Sequence, residues 1–164
     1  MALSLTSPSF QDHGEIPIEY TDDGKDISPP LAWSNVPAGA RSLAVVVEDP
    51  DAPDPAAPRR TVVHWVLYNL PPTSGSLPED VDRHGLPEGA HAGRNDHGRV
   101  GYSGPQPPTG RHRYFFRLFA LDEVLPVDAA RPLTRGELDG MMRGHVLDTA
   151  ALVGTYESKR KRLH

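Results

Sequence analysis

Thr61-Val62-Val63-His64-Trp65-Val66-Leu67-Tyr68-Asn69-Leu70 is rich in β-branched and aromatic residues and closes on Pro71-Pro72. On an extended chain its two faces are Val62/His64/Val66/Tyr68/Leu70 and Val63/Trp65/Leu67/Asn69. Both are mostly apolar, so the run reads as a central strand covered on both sides. A second β-branched run, Ser42 to Glu48, stops at Asp49-Pro50. A third strand is expected over Arg113–Leu121. Ser28-Pro29-Pro30-Leu31-Ala32-Trp33 reads as the start of an edge strand, where proline is tolerated. These runs make the chain mainly β.

One helix is marked by Thr134-Arg135-Gly136-Glu137, a capping box in which hydroxyl and carboxylate satisfy backbone N–H groups at the helix start. Leu138, Met142, Val146, Ala150 and Val153 follow at spacings of three and four, and Gly154 is the expected stop. Between Pro71 and Gly104 the chain is polar and glycine-rich; long excursions of this kind tend to be functional.

With 164 residues, 18 Pro and 15 Gly but clear apolar runs, the expectation is one folded, loop-rich domain over residues 1–164. A net charge of −5 argues against a dedicated nucleic-acid binder. Basic residues cluster only in Lys159-Arg160-Lys161-Arg162, read as a solvated, frayed tail. The absence of cysteine excludes disulfides, thiolate catalysis and Cys-ligated zinc. With no signal-like N-terminus and no apolar stretch of membrane-spanning length, the expected location is the cytoplasm.

The chemistry gathers at strand ends. Gly104-Pro105-Gln106-Pro107-Pro108-Thr109-Gly110-Arg111-His112-Arg113-Tyr114-Phe115-Phe116 runs a Pro/Gly loop into a strand. His112 and Tyr114, two apart, point to one face. In Asp49-Pro50-Asp51-Ala52-Pro53, Asp49 continues the Val45/Val47 face inward, and an Asx turn accounts for one of the two carboxylates. If the strands bearing Asp49, His64 and His112 are neighbours, their polar groups converge on one pocket. Imidazoles, a phenol and backbone N–H groups of the glycine-rich turn suit a phosphate or carboxylate. A metal site of Asp49, His64 and His112 ranks second, having no local ligand motif such as H-E-x-x-H. Ser103 is not in a nucleophile elbow. The other histidines, His13, His84, His91, His97, His145 and His164, read as surface or packing residues, with His145 against the sheet facing the helix.

Asp49 to Pro53, His64 to Asn69 and Gly104-Pro105 through His112-Arg113-Tyr114 resemble the phosphatidylethanolamine-binding protein family, in its bacterial and archaeal Raf-kinase-inhibitor-like branch. Ser28 to Trp33, Asn95-Asp96, Gly101-Tyr102 and Gly144-His145 through Tyr156 carry the same resemblance. It implies a large central antiparallel sheet, a smaller sheet, a C-terminal helix and a pocket for phosphate-like anions, including phospholipid head groups. Asp49, His64, His112 and Tyr114 fall on its pocket positions, with Gly104 supplying backbone. Asp51, Pro53 and Pro105 would form the rim. Gln106 stands where bacterial relatives often carry a cysteine, which removes a thiol from the loop. The resemblance further implies a homodimer; the convergent polar groups and the lack of a complete catalytic set lead to the expectation of a non-enzymatic binding module, with no cofactor or metal. The rival reading is a protease or kinase inhibitor that docks through loops such as Pro53–Pro58 and 71–104, with the pocket as a ligand-controlled switch.

Overall fold

The computed structural model describes residues 2–158; the basic tail lies outside them. The expected runs form strands, most of them longer than their apolar cores. They are β1 (Ser4–Thr6), β2 (Gly14–Glu15), β3 (Leu31–Ser34), β4 (Ser42–Ala52), β5 (Arg60–Leu70), β6 (Gly75–Leu77), β7 (His91–Ala92), β8 (Arg111–Leu121) and β9 (Val146–Glu157). Two α-helices are present among the described residues, α1 (Val81–His84) and α2 (Arg135–Met142), with one 3-10 turn at Ile18–Tyr20. One sheet has the order β2-β9-β8-β4-β5-β7 and is antiparallel except where β2 runs beside β9; the smaller one is β1-β3-β6. No helix among the described residues is long and apolar enough to cross a membrane.

Alternation along β4 and β8 builds two cores. Val45, Val47, Tyr114, Phe116 and Leu118 pack with Trp33 and Leu31 of the small sheet. Ala44 and Val46 face the other way, onto Leu125, Leu138 and Met142. The large sheet is thus covered on both faces, which is why its inner strands read as nearly continuous apolar runs.

Four expectations change. The run 61–70 is not central in strand order, since only the two-residue β7 lies beyond it. Its edge is instead filled by the loop after β7. Gly93 N–H donates to Val66 O (2.7 Å), Asp96 N–H to Val63 O (2.9 Å), and Ser103 N–H to His64 O (3.0 Å).

The two faces inferred from strict alternation are also revised. Val47 pairs with Trp65 but Glu48 pairs with Val63, so His64 is the extra residue of a β-bulge. Trp65 and Leu67 therefore join one core, while Val63, Val66 and Tyr68 join the other.

The helix is real, and its capping box forms as expected. It ends at Met142, however, and the chain turns through Gly144 (φ 82°) and returns as β9. Gly154 lies in that strand, close against Ile16 and Phe10, rather than capping a helix. His145 is not packed against the sheet; it sits partly exposed between Asp122 (2.8 Å) and Glu123 (3.4 Å).

Lastly, β3 is the middle strand of the small sheet, not an edge. Its prolines precede the first paired residue, Leu31, and so cost no ladder hydrogen bond.

Candidate functional site

At one end of the large sheet, β4, β5 and β8 open into a cavity of about 650 Å3. Asp49, Val62, His64, His112 and Tyr114 line it, with Ala52, Pro53, Pro107, Pro108 and, at the mouth, the exposed Arg60, Thr61, Asp96, His97 and Gln106. Asp22, Asp23 and Ser158 complete the wall. The structure brings Asp49, His64, His112, Tyr114 and Pro53 together. It leaves Gly104, Asp51 and Pro105 out of the lining.

The two histidines are held in opposite states. Around buried His112, Nδ1 lies 2.6 Å from Asp49 Oδ2, and Nε2 lies 2.8 Å from Thr109 O and 3.1 Å from Pro53 O. All three neighbours are acceptors, so both ring nitrogens carry protons and the ring is an imidazolium. Burial opposes that charge, but the hydrogen bond and charge of Asp49, with the two carbonyls, outweigh it and raise the ring above its ordinary value. His112 has no nitrogen left for a ligand, contrary to the donor role expected of it.

His64 Nδ1 lies 2.6 Å from Ser103 O, a fixed acceptor, so Nδ1 carries the proton and donates. Nε2 has no hydrogen-bond partner among the described residues and presents a lone pair. Burial disfavours the charged ring, partly offset by the Ser103 carbonyl, and pushes His64 down to about 4. At neutral pH it is an acceptor.

Tyr114 stacks near His112 (6.3 Å between centroids) and meets His64 edge-on (5.3 Å). Its hydroxyl is buried and has no hydrogen-bond partner among the described residues. Burial, then the charge of Asp49, raises its ionisation far above neutrality, so it remains a donor.

The Gly104 N–H is already donated to Asp26 Oδ1 at 2.6 Å, so it offers nothing to the pocket. Asp51 turns away and takes the Arg113 backbone N–H (2.8 Å) and both faces of its guanidinium fork (3.0 and 2.9 Å). That pairing, against an opposing contribution from burial, holds the Asp51 carboxyl below the usual range. The Asx turn is real but belongs to Asp49, whose Oδ1 accepts the Asp51 N–H at 2.7 Å. Asp49 thus orients His112 with one oxygen and braces its own loop with the other. Among the described residues no group of three His, Asp or Glu side chains could hold a metal ion.

Sequence reasoning missed the mouth. His97, read as a surface residue, lies with its ring 5.1 Å from that of His64. Asn95 sets it there. Its Oδ1 accepts the N–H groups of His97 (2.9 Å) and Arg99 (3.1 Å), and its Nδ2 donates to Gly101 O (2.9 Å) and Ser103 Oγ (3.0 Å). The available signal was the length of the 71–104 excursion, which marked a functional loop without naming its residues.

The sequence profile of the phosphatidylethanolamine-binding proteins matches residues 6–157. The chain belongs to the phosphatidylethanolamine-binding protein family. Within it, the chain is 47% identical over 155 residues to a UPF0098 protein of Methanothermobacter thermautotrophicus, covering 94% of this chain and 98% of the relative. Among solved structures it resembles the phosphatidylethanolamine-binding protein homologue of Chlamydia trachomatis, with a TM-score of 0.87, 40% identity and coverage of 96% and 99%. Escherichia coli YbcL is similarly close, with a TM-score of 0.85, 33% identity and coverage of 97% and 100%. The bacterial and archaeal branch and the two-sheet fold, first expected from Asp49–Pro53, His64–Asn69 and His112–Tyr114, are thereby shown.

Proposed function

We propose that this chain is a non-catalytic binding protein whose pocket holds a small phosphate-bearing ligand, free or as a phospholipid head group. The observation that carries this reading is the buried Tyr114 hydroxyl, a donor without a hydrogen-bond partner among the described residues, on a side chain that lines the cavity. A buried polar group left unmade costs about 1–3 kcal/mol, and a charged acceptor placed on it recovers that and more. The His112–Asp49 ion pair beside it fixes the position of the ring that stacks near Tyr114. The family description names a phospholipid with a phosphate and an ammonium. The exposed Asp96 carboxylate at the mouth suits a cationic group at the other end of such a ligand.

Isothermal titration with phosphate and phosphoethanolamine tests the reading. Saturable binding is expected, weakened tenfold or more in Tyr114→Phe, since a hydrogen bond to a charged group contributes about 1.5–3 kcal/mol. Unchanged affinity in that variant would remove the assignment.

A further inference from the structure

We infer that the pocket selects its phosphate by protonation state: it takes a singly ionised phosphate or phosphomonoester, with the P–OH donating to His64 Nε2 and a bare oxygen accepting from Tyr114 Oη. This rests on the phosphate-binding reading above and narrows it to one class of ligand, setting aside the phospholipid head group, whose phosphate is a diester without a P–OH.

The argument is an inventory of free hydrogen-bonding atoms. Of the groups that sequence reasoning offered as anion donors, the Gly104 N–H is spent on Asp26, and both His112 nitrogens are spent on Asp49, Thr109 and Pro53. Two deep polar atoms remain, and they are of opposite kind. Tyr114 Oη can donate. His64, with Nδ1 fixed on Ser103 O, can only accept at Nε2. The two rings meet edge-on, 5.3 Å apart between centroids, and both side chains line the same cavity. A fully ionised oxyanion would set a negative oxygen against the His64 lone pair.

The charges around His64 reinforce this preference. Asp49 stands on β4, Asp96 and His97 on the loop after β7, and Tyr114 and His112 on β8. Further out, Asp22, Asp23 and Arg60 line the same cavity. Beside His64 the positive charge of His112 is matched by Asp49, so this pair does not draw a second negative charge onto the ligand. Sites built to bond a ligand hydroxyl reject analogues lacking it far more strongly than apolar sites reject a missing methylene.

Sulfate is the probe, since it matches phosphate in shape but carries no proton near neutral pH. At about pH 6, close to the second ionisation of a phosphomonoester, titration should show phosphate binding at least about tenfold tighter than sulfate. The phosphate-to-sulfate ratio should then fall as pH rises and the dianion takes over. Because sulfate does not titrate, its own profile reports the protein alone. His64→Gln supplies an amide that both donates and accepts, so its ratio should move toward one. A final pair separates the ligand's sources: phosphoethanolamine should bind more tightly than its glycerol diester, which keeps the ammonium but has no P–OH. Equal affinities for phosphate and sulfate, or for monoester and diester, would overturn the inference and leave phosphate binding standing. Binding of neither anion would overturn both.

Discussion

His112 and Tyr114 sit two residues apart on one strand and have opposite duties. His112 is bound to three acceptors and neutralises a buried carboxylate, so its loss strands Asp49. Removing one partner of a buried pair costs about 3–5 kcal/mol. For a chain of this size His112→Ala should lower Tm by roughly 6–20 °C, read by calorimetry. Tyr114→Phe removes a hydroxyl that has no hydrogen-bond partner among the described residues. Its Tm should be unchanged or higher, while ligand-induced stabilisation disappears. If both variants lost stability alike, the division of labour between the two residues would be wrong. Their shared face was legible from their spacing. Their roles were not, because they depend on which carbonyls the folded loop brings to Nε2.

At the scale of elements, β9 is where pattern and structure part. Leu138, Met142, Val146, Ala150 and Val153 keep helical spacing across a boundary that the chain does not respect. Only Leu138 and Met142 use that spacing, to bury a helix face on Leu125 and Val46. Beyond Gly144 the chain pairs with β8 over Arg111–Leu121. Thr149, Val153, Thr155 and Tyr156 are the strand formers that outvote the coincidence of period. Gly154 belongs to this strand because a Cβ there would lie 2.5 Å from Ile16 Cγ1 and 3.0 Å from Phe10 Cε2. Gly154→Val should therefore destabilise by about 1–3 kcal/mol, seen as a lower urea midpoint. A neutral result would mean that the Phe10–Ile16 segment packs more loosely than its contacts indicate. The bulge at His64 was equally hidden, since an extra residue in one strand leaves no mark in that strand's own sequence.

Over the whole molecule, the two buried histidines set opposing pH limits. His64 is depressed to about 4 in the fold against about 6.5 in an unfolded chain. Its contribution is present above pH 6.5 and is lost as pH falls toward 4, in total about 3 kcal/mol. His112 is raised, so its contribution is present below about pH 6.5 and is lost as pH rises through its folded value. Urea midpoints between about pH 4 and pH 9 should trace a dome, and His64→Gln should flatten its acid limb alone. An acid limb unchanged in that variant would assign the sensitivity to other groups. The apolar strands and the pocket end of the sheet could be read from sequence because burial on both faces writes itself into composition. The mouth could not, because Asn95 and His97 act through loop geometry.

The loop that carries His97 to the pocket also occupies the outer side of β5. Asp96 takes the Val63 N–H on its carboxylate (2.7 Å) and gives its own N–H to the Val63 carbonyl (2.9 Å). Recognition and self-protection are therefore fused in one segment. A substitution that opened the mouth for a larger guest would also bare the rim of an apolar strand, and a bare rim invites another chain to add itself. Under the proposed function, any change of ligand at this mouth is limited by the need to keep the outer side of β5 covered.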